Sequence, residues 1–174
     1  STNELIATCI LLLNAGHEAS VNGFGNGMVA LLSNDSERAR LINDPIALSP
    51  SAVEEFLRFD SPLQYFERTA INDCEIGGVT VKQGQKIVSL LGSANRDETV
   101  FAAADTFDVS RQPNPHIGFG AGIHFCVGAP LARLEMSISL PLLIKRFPGL
   151  NLAREPERRP GFSLRGYKEV MANF

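Results

Sequence analysis

Cys126 is the residue of this chain whose type and position could do the most chemistry. It lies at the end of the glycine-rich stretch from 119 to 128. Apolar residues recur at helical spacing after it, which predicts a helix that starts just beyond the cysteine. The positive end of a helix dipole and free backbone N–H groups favour a thiolate there, and the thiolate is the form of cysteine that binds metal. The sequence therefore predicts a metal-ligating cysteine on a loop.

Other side chains near Cys126 leave two further interpretations open. Gly120, Gly122 and Gly128 remove side chains around the sulfur, so that a large flat group could approach the backbone. His124 is two residues away, and histidine with cysteine could instead hold zinc, although no second thiolate lies nearby. A buried free cysteine beside a glycine turn is the structural alternative.

The motif around Cys126 resembles the haem-binding loop of bacterial cytochromes P-450. It reads Phe-Gly-x-Gly-x-His-x-Cys-x-Gly over residues 119 to 128 and is followed by Leu-Ala-Arg and Glu135. The resemblance implies haem b as cofactor, with Cys126 as the axial ligand of its iron. In that family the thiolate pushes electron density toward O–O cleavage.

The resemblance also implies which side chains hold the haem. Arg68, His116 and His124 match family positions that face the propionates, and Phe119 is expected to pack near the sulfur. Gly120 and Gly128 belong to the same binding loop. In isolation, Arg68 would be interpreted as a surface arginine on a strand.

A structural brace for the loop is implied by three charged residues. Glu55 and Arg58 are three apart, and so lie on one face of a predicted helix. An exposed pair of this kind is worth only about 0–1 kcal/mol. Within the resemblance, the two match the family's Glu-x-x-Arg element, which Arg111 completes, and their role is expected to be structural.

The segment from 14 to 20 resembles the family's central helix, which crosses the distal face of the haem. Glu18 matches the acid that relays protons, but Ala19 stands where the family has threonine. A hydroxyl follows only at Ser20, about 100° further round the helix. We expect Glu18 and Ser20 as catalytic residues, and water or a substrate hydroxyl could replace the threonine.

The predicted elements form a single unit that is mainly α with a small β component, the C-terminal, haem-loop part of the cytochrome P-450 fold. Apolar residues from Leu5 to Leu13 favour a helix buried in the core. Gly23, Gly25 and Gly27 predict either tight packing or an irregular helix. A kink or an early end is expected at Pro141. The expected ranges are a central distal helix at 1–33, a Glu-x-x-Arg helix at 50–60, β segments at 64–91 with a hairpin turn at Gly77-Gly78, a haem-binding loop at 111–126, a proximal helix at 127–147 and C-terminal strands at 149–174.

Composition excludes several classes of protein. A net charge of −3 and 20% charged residues give no footprint for nucleic-acid binding. The apolar run near residues 5–13 is too short to span a bilayer. Three widely spaced cysteines, without a signal peptide, favour a reducing cytoplasm. We therefore expect a cytoplasmic protein that binds neither membrane nor nucleic acid.

The resemblance implies a monooxygenase that inserts one oxygen atom from O2 into a small organic substrate. Its electrons would come from a ferredoxin-type or flavoprotein donor. Family members are usually more than twice as long as these 174 residues, and the chain opens at Ser1, so a natural short protein and a fragment both remain open. A truncated haem-binding protein without activity and an interaction domain without haem are the alternatives. Bare apolar surface predicts self-association.

Overall fold

The computed structural model describes residues 1–174 and shows a mainly helical chain with three small antiparallel sheets. This confirms the predicted fold class. The elements, in order, are α1 (Thr2–Leu32), α2 (Asp35–Asn43), α3 (Pro45–Phe59), β1 (Phe66–Thr69), β2 (Cys74–Ile76), β3 (Val79–Val81), β4 (Lys86–Ser89), α4 (Leu91–Ala94), a 3-10 turn (Gly122–His124), α5 (Ala129–Arg146), β5 (Asn151–Leu152) and β6 (Ala172–Asn173).

Helix α1 starts with a capping box at Ser1 and Glu4 and runs unbroken for 31 residues. Its second half, from Asn22 to Leu32, is largely buried. The glycines of this half leave the helix regular, and Gly27 lies so close to Phe56 of α3 that a Cβ atom there would overlap the ring. Tight packing, rather than irregularity, therefore accounts for that glycine.

The first half of α1 corrects a prediction. The run from Leu5 to Leu13 was expected to be buried, but its large side chains are more than half exposed, with Leu13 75% exposed. The side chains are apolar on nearly every face, as the sequence shows, but no other element of this chain packs against them. Apolar character alone therefore did not determine burial.

The core lies where α1, α3 and α5 meet. Residues from all three helices are fully or almost fully buried there, among them Leu31, Phe56 and Leu140. Helix α3 begins five residues before the predicted start, because the Asp44 side chain accepts a hydrogen bond from Ala47 N and Pro45 suits the first turn. Helix α5 continues past Pro141 to Arg146, so the early end does not occur and a kink stays a prediction.

The β segments form short hairpin-like pairs at the surface. β1 pairs with β4, and β2 pairs with β3 across the Gly77-Gly78 turn, where both glycines have positive φ as a tight hairpin needs. Strand structure at the C-terminal end is limited to the β5–β6 pair and two isolated bridges. Between α4 and α5 the chain is almost entirely irregular, and this long segment carries the cysteine loop.

Candidate functional site

The Cys126 loop, residues 119 to 128, is closed by its own backbone hydrogen bonds. Cys126 N donates to Phe119 O at 3.0 Å, and Phe125 N donates to Gly122 O at 3.0 Å. Gly120 and Gly122 have φ values of 73° and 68°, which residues with a Cβ rarely adopt. Helix α5 starts three residues after Cys126, as the spacing predicted. The loop therefore presents a half-buried free thiol just before a helix N-terminus.

Apolar side chains next to the thiol are exposed to an unusual degree. Ile123 is 98% exposed, Val127 is 85% exposed and the Phe125 ring is about half exposed. Helix α5 adds an exposed apolar row of Leu131, Leu134, Ile138 and Leu142. A thiol on a glycine-rich loop with bare apolar neighbours fits a flat, largely apolar group whose metal the sulfur would bind. The residues present therefore fit a haem.

The three predicted brace residues come together in one network behind the loop. The Glu55 carboxylate accepts from Arg58 Nε at 2.7 Å and Arg58 Nη2 at 2.8 Å, and from Arg111 Nε at 3.1 Å. The side chains of Glu55 and Arg58 are fully buried, and that of Arg111 is 10% exposed. The Glu55–Arg58 pair is therefore buried, unlike the exposed Glu–Arg pair that the spacing alone would suggest.

This network fixes the irregular segment that precedes the cysteine loop. Arg58 donates to the carbonyls of Asn95, Ala104 and Thr106, and Arg111 donates to three carbonyls between residues 102 and 106. Glu55 also accepts from the backbone N–H of Asp108 at 3.0 Å. One buried charge cluster thus satisfies the backbone of a segment that forms no helix or sheet ladder.

A second charge cluster, which the sequence analysis missed, joins the loop to α3 and α5. Glu54 Oε1 accepts from Arg133 Nε at 2.6 Å, and Glu54 Oε2 accepts from Arg133 Nη2 at 2.9 Å. His116 Nε2 lies 2.8 Å from Glu54 Oε2. Burial alone would raise the pKa of Glu54, but the hydrogen bonds from His116 and Arg133 outweigh it and hold that pKa at about 2. His116 and Arg133 each matched the family pattern, but no sequence signal pointed to Glu54 or joined the three residues.

The residues predicted to face the haem propionates differ in their surroundings. His116 is 2% exposed, and both of its ring nitrogens are occupied, one by Glu54 and the other by Gly118 N at 3.1 Å. A propionate contact would have to replace one of these bonds. His124 is exposed on the 3-10 turn, and Arg68 is exposed on β1 with its guanidinium 5.4 Å from the Phe66 ring centre. The latter two remain available to an anionic ligand.

The predicted proton-relay residues lie on α1, without a hydrogen bond or ion pair to the cysteine loop. Glu18 is half exposed, and its Oε1 lies 3.4 Å from Arg159 Nη1 in the C-terminal segment. Ala19 and Ser20 are half buried. The structure therefore leaves the catalytic roles of Glu18 and Ser20 as predictions.

No group of three or more His, Cys, Asp or Glu side chains is placed to hold a metal ion. None of the helices has the length together with the apolar character needed for a membrane span.

Comparison with known proteins points to one family. The family model described as Cytochrome P450 matches residues 46–163. The biotin biosynthesis cytochrome P450 of Bacillus subtilis is 45% identical over 172 residues, which cover 98% of this chain and 43% of that protein. Nocardicin C N-oxygenase of Nocardia uniformis subsp. tsuyamanensis is 46% identical over 160 residues, covering 90% of this chain and 40% of that protein.

Solved structures agree with the sequence comparison. The cytochrome P450 enzyme CYP109B1 from Bacillus subtilis matches with a TM-score of 0.94 and 42% identity, over 100% of this chain and 47% of that one. P450BioI, in complex with an acyl carrier protein carrying hexadec-9Z-enoic acid, matches with a TM-score of 0.92 and 46% identity, over 95% of this chain and 43% of that one. The chain thus spans less than half the length of these relatives.

Proposed function

This chain belongs to the cytochrome P450 family, and from that membership we propose that it forms the cysteine-bearing part of a haem-thiolate monooxygenase. The reaction is the insertion of one oxygen atom from O2 into a small organic substrate. The observation that carries this proposal is the loop geometry, in which a half-buried Cys126 thiol stands beside exposed apolar side chains. Haem b, when bound, supplies the oxygen chemistry.

The chain's own residues bind and orient the cofactor in this proposal. Cys126 provides the sulfur ligand, and its backbone N–H, held by Phe119 O at 3.0 Å, fixes where that sulfur points. Gly120 and Gly128 keep the space around the sulfur free of side chains; a Cβ on Gly128 would lie 3.9 Å from Cys126 Sγ. Phe119 packs within the loop, with its ring 6.3 Å from that of Phe125.

Basic side chains hold the propionate edge of the cofactor. We assign the propionates to Arg68 and His124, which are exposed and therefore accessible. His116 joins them only if it exchanges its bond to Glu54 or to Gly118 N. A hydrogen bond with a charged partner is worth about 1.5–3 kcal/mol, so a few such contacts would orient the haem.

Proton delivery rests on α1 in this proposal. Glu18 holds and passes the proton once its carboxylate has separated from Arg159. Ser20, water or a substrate hydroxyl takes the place of the threonine that is absent at Ala19. Electrons come from a separate ferredoxin-type or flavoprotein donor. The cytoplasmic location expected from three unpaired cysteines is part of the same proposal, and all three are free thiols here.

A visible spectrum tests the proposal directly. The chain is reconstituted with haem, reduced and exposed to carbon monoxide. We expect the thiolate-shifted Soret band, its loss in Cys126→Ser, and its retention in Cys74→Ser, because Cys74 is an exposed thiol on β2. An unshifted band in the unsubstituted chain, or no retained haem, would favour the inactive alternative instead.

A further inference from the structure

Glu54 is the residue through which α3 holds both ends of the Cys126 loop. One carboxylate oxygen reaches His116, three residues before the loop, and both oxygens reach Arg133 on the first turns of α5. The loop lies between these two partners. Glu54 is therefore placed to determine the loop's position relative to the core.

The contact with the start of the loop is directional. Gly118 N donates to His116 Nδ1 at 3.1 Å, so that Nδ1 acts as an acceptor and Nε2 carries the proton. Nε2–H can then donate to Glu54 over 2.8 Å even when the imidazole is neutral. The His116 side chain is 2% exposed, so its end of this hydrogen bond is shielded from water.

The contact with α5 leads to Cys126 in two steps. The Arg133 guanidinium, which donates two hydrogen bonds to Glu54, lies 4.7 Å from the centre of the Phe119 ring. Phe119 O accepts the Cys126 N–H. Stacking on an aromatic face and bidentate pairing with a carboxylate both require a fixed guanidinium plane. The orientation of Arg133 thus affects, through Phe119, the position of the backbone that carries the sulfur.

Charge gives the same cluster a second effect. The hydrogen bonds to Glu54 are the main cause of the raised pKa of Arg133, and they outweigh burial, which lowers it. The paired guanidinium lies over the ring of Phe119, whose carbonyl accepts the Cys126 N–H, so the charge of Arg133 is placed close to the backbone that carries the sulfur. Without Glu54, the positive charge of Arg133 would have no anionic partner, and its electrostatic effect on the loop would be larger.

We propose that Glu54 is a positioning residue: it locks the Cys126 loop through His116 and Arg133, and it balances the charge of Arg133 over the Phe119 ring. The charge effect rests on the proposed haem-thiolate function. The locking does not, because it concerns contacts that the chain makes by itself.

Amide hydrogen exchange on the chain without haem tests the locking. In Glu54→Gln, we expect exchange at the Cys126 amide to speed up at least tenfold, while the Arg165 amide, which donates to Pro62 O, changes little. Asp60→Asn is the matched control. The Asp60 side chain is a 10% exposed carboxylate that, like Glu54, pairs with two basic side chains, here Arg158 and Arg165. Its loss should therefore affect the Arg165 amide and spare Cys126.

The reduction potential of the haem-loaded protein tests the charge effect. We expect a positive shift in Glu54→Gln that disappears when Arg133→Gln is added, and no shift in Asp60→Asn. Unchanged exchange at Cys126, equal effects of both variants on both amides, or a potential that does not move would overturn the proposal. Failure to bind haem would count against the proposed function, and the exchange result would then decide on the locking alone.

Discussion

The carboxylates of Glu54 and Glu55 are adjacent in α3 but serve two separate charge clusters. Glu55 is fully buried and pairs with Arg58 and Arg111, which hold the irregular segment before the loop. Glu54 is 27% exposed and pairs with Arg133 and His116, which flank the loop itself. One turn of helix thus anchors two successive parts of the segment that carries Cys126.

Removing the charge of Glu55 should destabilise the fold severely. In Glu55→Gln, the fully buried Arg58 loses its anionic partner, and breaking a buried pair in this way costs about 3–5 kcal/mol. We expect the free energy of unfolding, measured with urea, to fall by that amount.

Glu67→Gln provides the control for this prediction. Glu67 pairs with Lys86 across β1 and β4, where both side chains are well exposed to screening solvent, so its loss should leave the free energy of unfolding nearly unchanged. A similar loss of stability in the two variants would contradict the distinction between a buried and an exposed pair.

The brace of Glu55, Arg58 and Arg111 shows which parts of the site the sequence could predict and which it could not. The three-residue spacing of Glu55 and Arg58 is common in surface helices, and only the family resemblance added Arg111 and a structural role. Glu54 had no such support. Its partners His116 and Arg133 are 62 and 79 residues away, and no local pattern connects residues at that separation.

Helix α1 shows a second limit. Its expected range was 1–33 and the helix runs from Thr2 to Leu32, because the signals that start and stop a helix are properties of the local sequence. The burial of its first half depends on what packs against it, which local sequence does not contain. The prediction for Leu5 to Leu13 was wrong for that reason.

The glycines of α1 give opposite predictions at two positions. A Cβ at Gly27 would lie 1.9 Å from Phe56 Cδ2, so Gly27→Ala must displace a fully buried ring at a cost of about 1–3 kcal/mol. At Gly25 nothing lies within 4 Å, so Gly25→Ala should gain up to about 1 kcal/mol from helix propensity. Thermal unfolding of both variants checks the signs; a destabilising Gly25→Ala or a neutral Gly27→Ala would contradict this packing.

Stability should fall in acid, partly through Glu54. Its pKa is lowered from 4.5 to about 2 in the folded chain, so its ion pairs contribute stability above pH 4.5. That contribution is lost as the pH falls from 4.5 toward 2, and it amounts to of order 3 kcal/mol. Urea unfolding at several pH values measures it.

Glu54→Gln isolates this contribution from those of other acids. Asp108, for example, also has a lowered pKa: burial opposes the shift, and hydrogen bonds from Ser110 and Arg40 outweigh it. The stability difference between the unsubstituted chain and Glu54→Gln should therefore shrink as the pH falls below 4.5. A difference that stays constant with pH would mean that Glu54 titrates alike in the folded and unfolded chains.

The exposed half of α1 should make this chain self-associate when it is studied alone. Large apolar side chains stand more than half exposed there, and contiguous apolar surface of this kind drives association. Ile6 and Leu13 are seven residues apart and so share a face, which makes Ile6→Gln/Leu13→Gln the variant expected to weaken association. Ile71→Gln is the control, because Ile71 is 80% exposed but lies in the bend after β1 and is not part of α1. Light scattering over a range of concentrations measures the effect. A monodisperse monomer at every concentration would show that this apolar face does not drive association.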